Sequence, residues 1–164
     1  MTRSRIWKFG ADVDTDVLAP GAYMKQGIEV IAQHCLEAVR PEFAEGVRPG
    51  DLVVAGPNFG IGSSREQAAA ALVHLGIQAV VAPSYGGLFF RNAFNVGLLP
   101  LTCPQAQQLQ DGDSAMLDLS APAVIASSGL RLECQPIPDF LLEMVQAGGL
   151  LPSLKLKLAK ESMA

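Results

Sequence analysis

Basic residues are in the minority in this 164-residue chain, which has 12 Lys and Arg against 16 Asp and Glu and a formal net charge of −4. A surface that binds nucleic acid concentrates positive charge, and this sequence contains no basic cluster. Long apolar runs are also missing, so no stretch reaches the length of a membrane span, and the amino terminus does not resemble a signal peptide. We therefore expect a cytoplasmic protein that binds neither nucleic acid nor a membrane.

Cysteines are few and follow no ligand pattern. The three residues Cys35, Cys103 and Cys134 are widely spaced, and no C-x-x-C motif is present. Such a set is typical of reduced, structural cysteines rather than of zinc or iron–sulfur sites. The two histidines, His34 and His74, are isolated, which favours packing or surface positions over metal ligation. We expect no metal site and no bound cofactor in this chain.

The length and the 49% hydrophobic content suit one well-packed domain, 1–164. Apolar runs at 52–55 and 77–82 flank a predicted helix at 68–75, and this order indicates a parallel βαβ unit. Additional strands are predicted at 5–9, 96–101, 116–119, 124–126 and 130–134, the last two as a hairpin. Additional helices are predicted at 28–38, 83–95, 105–110 and 138–147. The pattern predicts a three-layer α/β domain with a mixed sheet.

The segment 56–67, GPNFGIGSSREQ, carries the clearest chemistry. Its three glycines allow a tight turn and a close approach by a ligand. Ser63 and Ser64 each stand three residues before Glu66 or Gln67, the spacing of a capping box, so the serines are predicted at a helix N-terminus that suits an anion. Arg65 adds a planar fork for a carboxylate. The interpretation is a serine beside a carboxylate-binding site; the alternative is a simple helix cap.

Three other segments have informative patterns. The alternating aspartates of 10–16 do not form a calcium loop, because Val17 and Tyr23 replace the required Gly and Glu, and a capped turn is the alternative. Segment 20–27 has turn formers at both ends and Lys25 between them. The tail 154–160 alternates Leu and Lys, which predicts an exposed edge or interface strand.

Three segments together resemble a known family. They are KFGADVDTDVLAPGAYM (8–24), GPNFGIGSSREQAAAAL (56–72) and IQAVVAPSYGGLFFRNAFNVGLLPL (77–101). In this order they resemble the small subunits of 3-isopropylmalate dehydratase, the stand-alone form of the aconitase swivelling domain, with homoaconitase-like small subunits close by. The resemblance implies a three-layer β/β/α swivelling domain that closes over a partner.

The resemblance also implies a reaction, a partner and residue roles. The family moves a hydroxyl group between adjacent carbons of a hydroxy di- or tricarboxylic acid, with a four-iron, four-sulfur cluster bound by a separate large subunit. Carried over by position, Ser63 is the general base, Asp16 the acidic active-site residue, and Arg65 and Ser64 bind substrate. Lys25 lies in the family's specificity loop, where it would favour an additional carboxylate.

The sequence departs from the family pattern at two positions and leaves alternatives open. Ile61 stands where the family usually has cysteine, and Gln67 where it commonly has histidine. Isopropylmalate is the leading substrate and homoaconitate, or another hydroxy acid, the alternative. A non-catalytic binding or regulatory module of the same fold, or an unrelated phosphate-binding protein, are the alternatives of another class.

Overall fold

The computed structural model describes residues 3–163, in which four parallel strands form one half of a seven-stranded sheet. They are β1 (Ser4–Lys8), β2 (Leu52–Val54), β3 (Ala79–Ala82) and β4 (Leu99–Thr102). β2 and β3 are buried along their whole length, which explains why they read as continuous apolar runs rather than as alternating ones. The parallel pairing of these two strands confirms the predicted βαβ unit.

The other half of the sheet is antiparallel. It contains β5 (Ser114–Asp118), β6 (Ala123–Ala126) and β7 (Arg131–Glu133). The strand order is β4-β3-β2-β1-β5-β6-β7, and β6 and β7 form the predicted hairpin. The sheet curls until its two edge strands, β4 and β7, come together. The contact is a hydrogen bond from the Gln135 N–H, just after β7, to the carbonyl of Thr102 in β4 (2.8 Å). This closure also brings Cys103 near Cys134, and the interaction of the two thiols lowers the pKa of Cys103 and raises the pKa of Cys134.

Seven helices lie among the described residues. They are α1 (Thr15–Leu18), α2 (Ile28–Gln33), α3 (Phe43–Gly46), α4 (Glu66–His74), α5 (Gly87–Val96), α6 (Asp139–Ala147) and α7 (Leu150–Ser162). Short 3₁₀ turns occupy Gly21–Tyr23 and Ala106–Gln108. None of the helices in residues 3–163 is long and apolar enough to cross a membrane.

Two cores divide the fold into layers. On β1, Trp7 faces a core built with α1 to α4, whereas its neighbour Ile6 faces a second core that includes β5, β6 and β7. Val53 and Leu52 of β2 divide in the same way. Successive strand residues point to opposite faces, so the parallel half is covered by helices on one face and by the curled antiparallel half on the other. The predicted three-layer fold with a mixed sheet is confirmed.

The carboxyl-terminal prediction was wrong, because the tail 154–160 is part of helix α7 rather than a strand. Leu, Lys and Ala are strong helix formers, and the segment has no β-branched residue to oppose them. Gly149 starts the helix where the chain leaves α6, and α7 packs on α5 and α6. The alternation of Leu and Lys was therefore not a strand period.

Three helix bounds also differ from the predictions. The helix expected at 28–38 ends at Gln33, because Leu36 takes a left-handed conformation with φ of 62°. The helix expected from 83 begins at Gly87, since Tyr85 pairs with Phe59 in an isolated bridge. The helix expected at 105–110 is only a single 3₁₀ turn. Strand positions are right to within one residue for β1, and β4 is shorter than the predicted 96–101 segment and displaced from it.

Candidate active site

Three loops meet at the carboxyl ends of β1, β2 and β3. The first loop, 9–14, runs beside the glycine-rich loop, 55–65, and backbone hydrogen bonds connect the two along their length. They join Gly56 to Gly10 (3.0 Å), Asp12 to Pro57 (2.9 Å), Gly60 to Val13 (2.6 Å) and Thr15 to Ile61 (2.9 Å). Parallel strands end at the same edge of a sheet, so loops that are distant in sequence meet there.

The third loop, 83–86, holds the glycine-rich loop from its other side. The Phe59 N–H donates to the Ser84 carbonyl (3.1 Å), and the Gly86 N–H donates to the Phe59 carbonyl (2.9 Å). The Asn58 side-chain amide donates to Asp12 Oδ1 at 2.9 Å, which ties the first loop to the same point. The glycine-rich loop is thus fixed along most of its course, a property that positioned chemistry requires.

Gly60 shows why glycine is needed in this loop. Its φ is +78°, a left-handed conformation, and a Cβ added there would lie 2.2 Å from Cγ of Phe89. Phe89 belongs to the buried aromatic group beneath the loop, in contact with Phe59. A side chain at residue 60 would therefore clash with Phe89 and displace the loop from the aromatic residues beneath it.

An ion pair across the loops joins two of the predicted site residues. Arg65 NH1 donates to Asp16 Oδ1 at 2.7 Å and to the Ala19 carbonyl at 2.9 Å, although Asp16 and Arg65 are 49 positions apart. Arg65 is one-quarter exposed and Asp16 about two-thirds exposed. The guanidinium carries five N–H donors, and the three not used here remain available for a carboxylate.

Asp16 is held in its charged form. The Arg65 hydrogen bond, and secondly the Gly21 backbone N–H at 3.2 Å, keep the pKa of the Asp16 carboxyl below its usual value near 3.8. Its neighbour Asp14 has a different task, since it accepts a hydrogen bond from the Val17 N–H and caps α1. The Asp-Thr-Asp motif therefore contains both the capped turn, at Asp14, and the ion-paired candidate site residue Asp16.

The capping-box prediction for Ser63 and Ser64 was wrong. Helix α4 begins at Glu66 and its N-cap residue is Arg65. The N-cap makes no side-chain hydrogen bond to the first turn of the helix. The Arg65 side chain is held by Asp16 and Ala19, and its backbone is extended rather than helical, so both serines lie outside the helix. They are exposed, and Ser64 lines a groove of about 550 Å³ along the start of α4.

Lys25 lies in the loop 21–26, which follows α1. It is exposed, and the loop is connected to the site by the Gly21 N–H that binds Asp16. The structure therefore brings Asp16, Ser63, Ser64 and Arg65 to one surface, with Lys25 on an adjacent loop.

Comparison with known proteins agrees with this architecture. A family described as the aconitase C-terminal domain matches residues 22–106, which include the loop of Lys25, the glycine-rich loop and Arg65. The chain belongs to the aconitase C-terminal domain family.

Individual relatives of this aconitase-family chain are similar over nearly its whole length. A 3-isopropylmalate dehydratase small subunit of Archaeoglobus fulgidus is 46% identical over 92% of the chain and 95% of that protein. A methanogen homoaconitase small subunit of Methanothermobacter thermautotrophicus is 43% identical over 90% of the chain and 87% of that protein. The crystal structure of a 3-isopropylmalate dehydratase from Methanocaldococcus jannaschii is 38% identical, with a TM-score of 0.92 over 98% of this chain and 97% of that one. The resemblance inferred from the three segments is confirmed.

The aconitase family raises the question of an iron–sulfur cluster, and the thiols of this chain do not fit one. Cys35 and Cys103 are buried, and burial raises the pKa of the Cys35 thiol, which opposes the thiolate form that iron requires. Within residues 3–163, no group of three or more His, Cys, Asp or Glu side chains is arranged to hold a metal ion.

One contact near the site escaped the sequence reasoning. His34, interpreted as a packing or surface residue, stacks face to face on Tyr23, with ring centroids 3.7 Å apart and an interplanar angle of 4°. No spacing rule links two residues on either side of a turn and a short helix. The two histidines are also not far apart in space, because His34 and His74 line the same cleft of about 460 Å³.

Proposed function

We propose that this chain is the small subunit of a 3-isopropylmalate dehydratase, a hydro-lyase that interconverts 2- and 3-isopropylmalate and so serves leucine biosynthesis. The observation that carries the proposal is the Arg65–Asp16 ion pair beside Ser63 on the hydrogen-bonded loops. The names of the Archaeoglobus and Methanocaldococcus relatives support the choice of substrate.

Arg65 is the substrate-binding residue in this proposal. Asp16 and the Ala19 carbonyl take two of its five N–H donors and fix the plane of the guanidinium. The remaining donors can bind a substrate carboxylate in the fork geometry that arginine provides and lysine does not. Ser64, the residue before Arg65, is exposed beside it and is the second substrate-binding residue.

Ser63 is the general base, and its Oγ takes the proton from the substrate carbon. A serine hydroxyl is a weak base, so its deprotonated form needs N–H donors in a site from which water is excluded. The uncapped N-terminus of α4, which begins three residues after Ser63, supplies such donors. In the isolated chain Ser63 is exposed, so a second protein must cover the loop before the base can act.

That second protein is the large subunit, and residues 1–164 act as one swivelling domain that closes over it. The iron–sulfur cluster would be held by the large subunit, where it would supply Lewis-acid chemistry. Asp16 keeps its negative charge and orients Arg65 while the proton moves to Ser63.

A homoaconitase activity is the second candidate, and Lys25 favours it. Homoaconitate has a carboxylate where isopropylmalate has an apolar group, and an exposed ammonium on the loop beside Asp16 suits that carboxylate. The Methanothermobacter relative carries the homoaconitase name.

The decisive experiment combines the chain with the large subunit of the same organism, reconstitutes the cluster without oxygen, and measures turnover of isopropylmalates and of homoaconitate. We expect isopropylmalate turnover by the mixture and none by either subunit alone. Preferential turnover of homoaconitate would replace the first candidate by the second. A complex that forms but converts no hydroxy acid would support the non-catalytic module.

A further inference from the structure

The loop 21–26 has few internal means of keeping its shape. Its hydrogen bonds are short-range: Tyr23 N–H to the Pro20 carbonyl (3.0 Å), Met24 N–H to Gly21 (3.3 Å) and Gln26 N–H to Tyr23 (2.9 Å). Ala22, Lys25 and Gln26 are exposed. Bonds between near neighbours define a turn but do not determine how that turn lies against the rest of the domain, so contacts from outside must do so.

The Tyr23 side chain makes the most specific outside contact. It packs at the margin of the core of α1 to α4 and stacks on the imidazole of His34 at 3.7 Å between ring centroids. Parallel rings at this distance restrict the Tyr23 side chain in both translation and tilt. Tyr23 lies between Gly21 and Lys25, so the stack restrains the segment that carries both, together with the packing of Met24 on the same core.

His34 is itself held in place. It is the C-cap residue of α2, directly after Gln33, and its Nδ1 lies 2.6 Å from Glu37 Oε2. A carboxylate accepts hydrogen bonds, so Nδ1 is the donor, and this bond fixes the ring plane on which Tyr23 stacks. Both side chains are partly buried, at 29% and 41% exposure.

We propose that His34, oriented by Glu37, is a positioning residue that anchors the specificity loop through Tyr23. This inference rests on the proposed function, since the anchored loop carries Lys25 and the Gly21 N–H that binds Asp16. His34 does not touch the substrate. It acts on the loop, whose position determines how Asp16, Arg65 and Lys25 meet the substrate.

The first test uses the isolated chain and needs no activity. His34→Ala removes the ring. We expect amide hydrogen exchange at Tyr23 and Gln26 to accelerate by about 2- to 12-fold, which is the factor that corresponds to the stabilisation by one aromatic pair. His34→Phe keeps a flat ring but loses the hydrogen bond to Glu37, so its exchange should lie between that of His34→Ala and that of the parent protein. His74→Ala is the matched control, because His74 lines the same cleft from the end of α4.

The second test uses the complex with the large subunit. His34→Ala should raise KM for isopropylmalate by about 3- to 10-fold with kcat changed less than about twofold, and His34→Phe, which keeps the ring but not the Glu37 bond, should recover part of this loss. A residue with a merely structural role would lower the melting temperature and leave KM unchanged.

Each remaining result has a defined meaning. Unchanged exchange in His34→Ala, unchanged KM despite faster exchange, or an equal effect of His74→Ala would overturn the positioning role. If exchange responds as expected but the parent complex does not convert isopropylmalate, the proposed function fails and the anchor stands.

Discussion

At the scale of the single residue, the charged residues of the candidate site are paired with each other, whereas the proposed base is not part of that pair. Asp16 is charged and paired, Arg65 is paired with free donors remaining, and Ser63 is exposed with no capping role. Each residue can therefore be changed with a different expected signature in stability and in turnover.

Ser63→Ala tests the base. The serine does not cap α4, so the free energy of unfolding should change by less than about 0.5 kcal/mol, as for an ordinary surface position. In the reconstituted complex kcat should fall by several orders of magnitude because no other group takes the proton. Chemical denaturation and steady-state kinetics measure the two effects. Near-normal kcat would remove Ser63 from catalysis.

Arg65→Gln tests the ion pair. The guanidinium is the main cause of the lowered pKa of Asp16, so the variant should raise this pKa toward 3.8. The sign follows from linkage: the pair is intact above pH 3.8 and is lost only as the pH falls through the lowered value. An NMR titration of the Asp16 carboxyl measures the shift. Arg131→Gln, which affects the Asp118 pair, should leave Asp16 unchanged.

At the scale of the element, the candidate site residues lie on loops, and the ends of the parallel strands position these loops. Backbone hydrogen bonds join the glycine-rich loop to both neighbouring loops, whereas the position of the loop 21–26 depends on side-chain contacts. We expect substitutions in the first to affect stability and substitutions in the second to affect specificity.

Gly60→Ala tests the fit of the glycine-rich loop. A left-handed alanine costs roughly 1–2 kcal/mol, and its clash with Phe89 adds about 1–3 kcal/mol of overpacking. Gly112→Ala is the control, since Gly112 has a φ of +81° with no atom within 4 Å of an added Cβ. Unfolding midpoints should place Gly60→Ala well below Gly112→Ala. Equal values would mean that Phe89 makes room without cost.

Lys25→Leu tests the loop charge. If the ammonium pairs with a distal carboxylate, its loss should shift the ratio of kcat/KM toward isopropylmalate by about 10- to 150-fold, because a charged hydrogen bond is worth roughly 1.5–3 kcal/mol. Lys155→Leu on α7 serves as a surface control of the same chemistry. A change of less than about twofold would exclude Lys25 as a specificity determinant.

At the scale of the whole molecule, the candidate site and the start of helix α7 lie at opposite ends of α5. The Gly86 N–H that precedes α5 donates to Phe59 of the glycine-rich loop, whereas Gly149 at the start of α7 packs on the carbonyl of Asn95. A helix of this length separates the two ends by about 15 Å. A partner that covers the site therefore need not cover α7.

Hydrogen exchange on binding the large subunit checks this geometry. The amides of Gly62, Ser63 and Ser64 donate no backbone hydrogen bond within residues 3–163, so their exchange should slow by at least about tenfold when the site is covered. Exchange along α7 should stay the same. Protection of α7 with none at these three amides would place the partner on the wrong end of the domain.

The sequence by itself determined the features that depend on near neighbours in the chain. The apolar runs of β2 and β3, the turn glycines and the serine–arginine segment are all visible locally, because burial, backbone conformation and charge are properties of short segments. The family resemblance then indicated Asp16 before any contact was known.

Only the tertiary structure decided what depends on residues far apart in the chain. The Arg65–Asp16 pair, the closure of the sheet at Thr102 and the Tyr23–His34 stack arise when packing brings distant segments together, and no local period encodes them. Tertiary contacts also overrode a local signal: Arg65, held by Asp16, is the N-cap of α4 in place of the predicted serines.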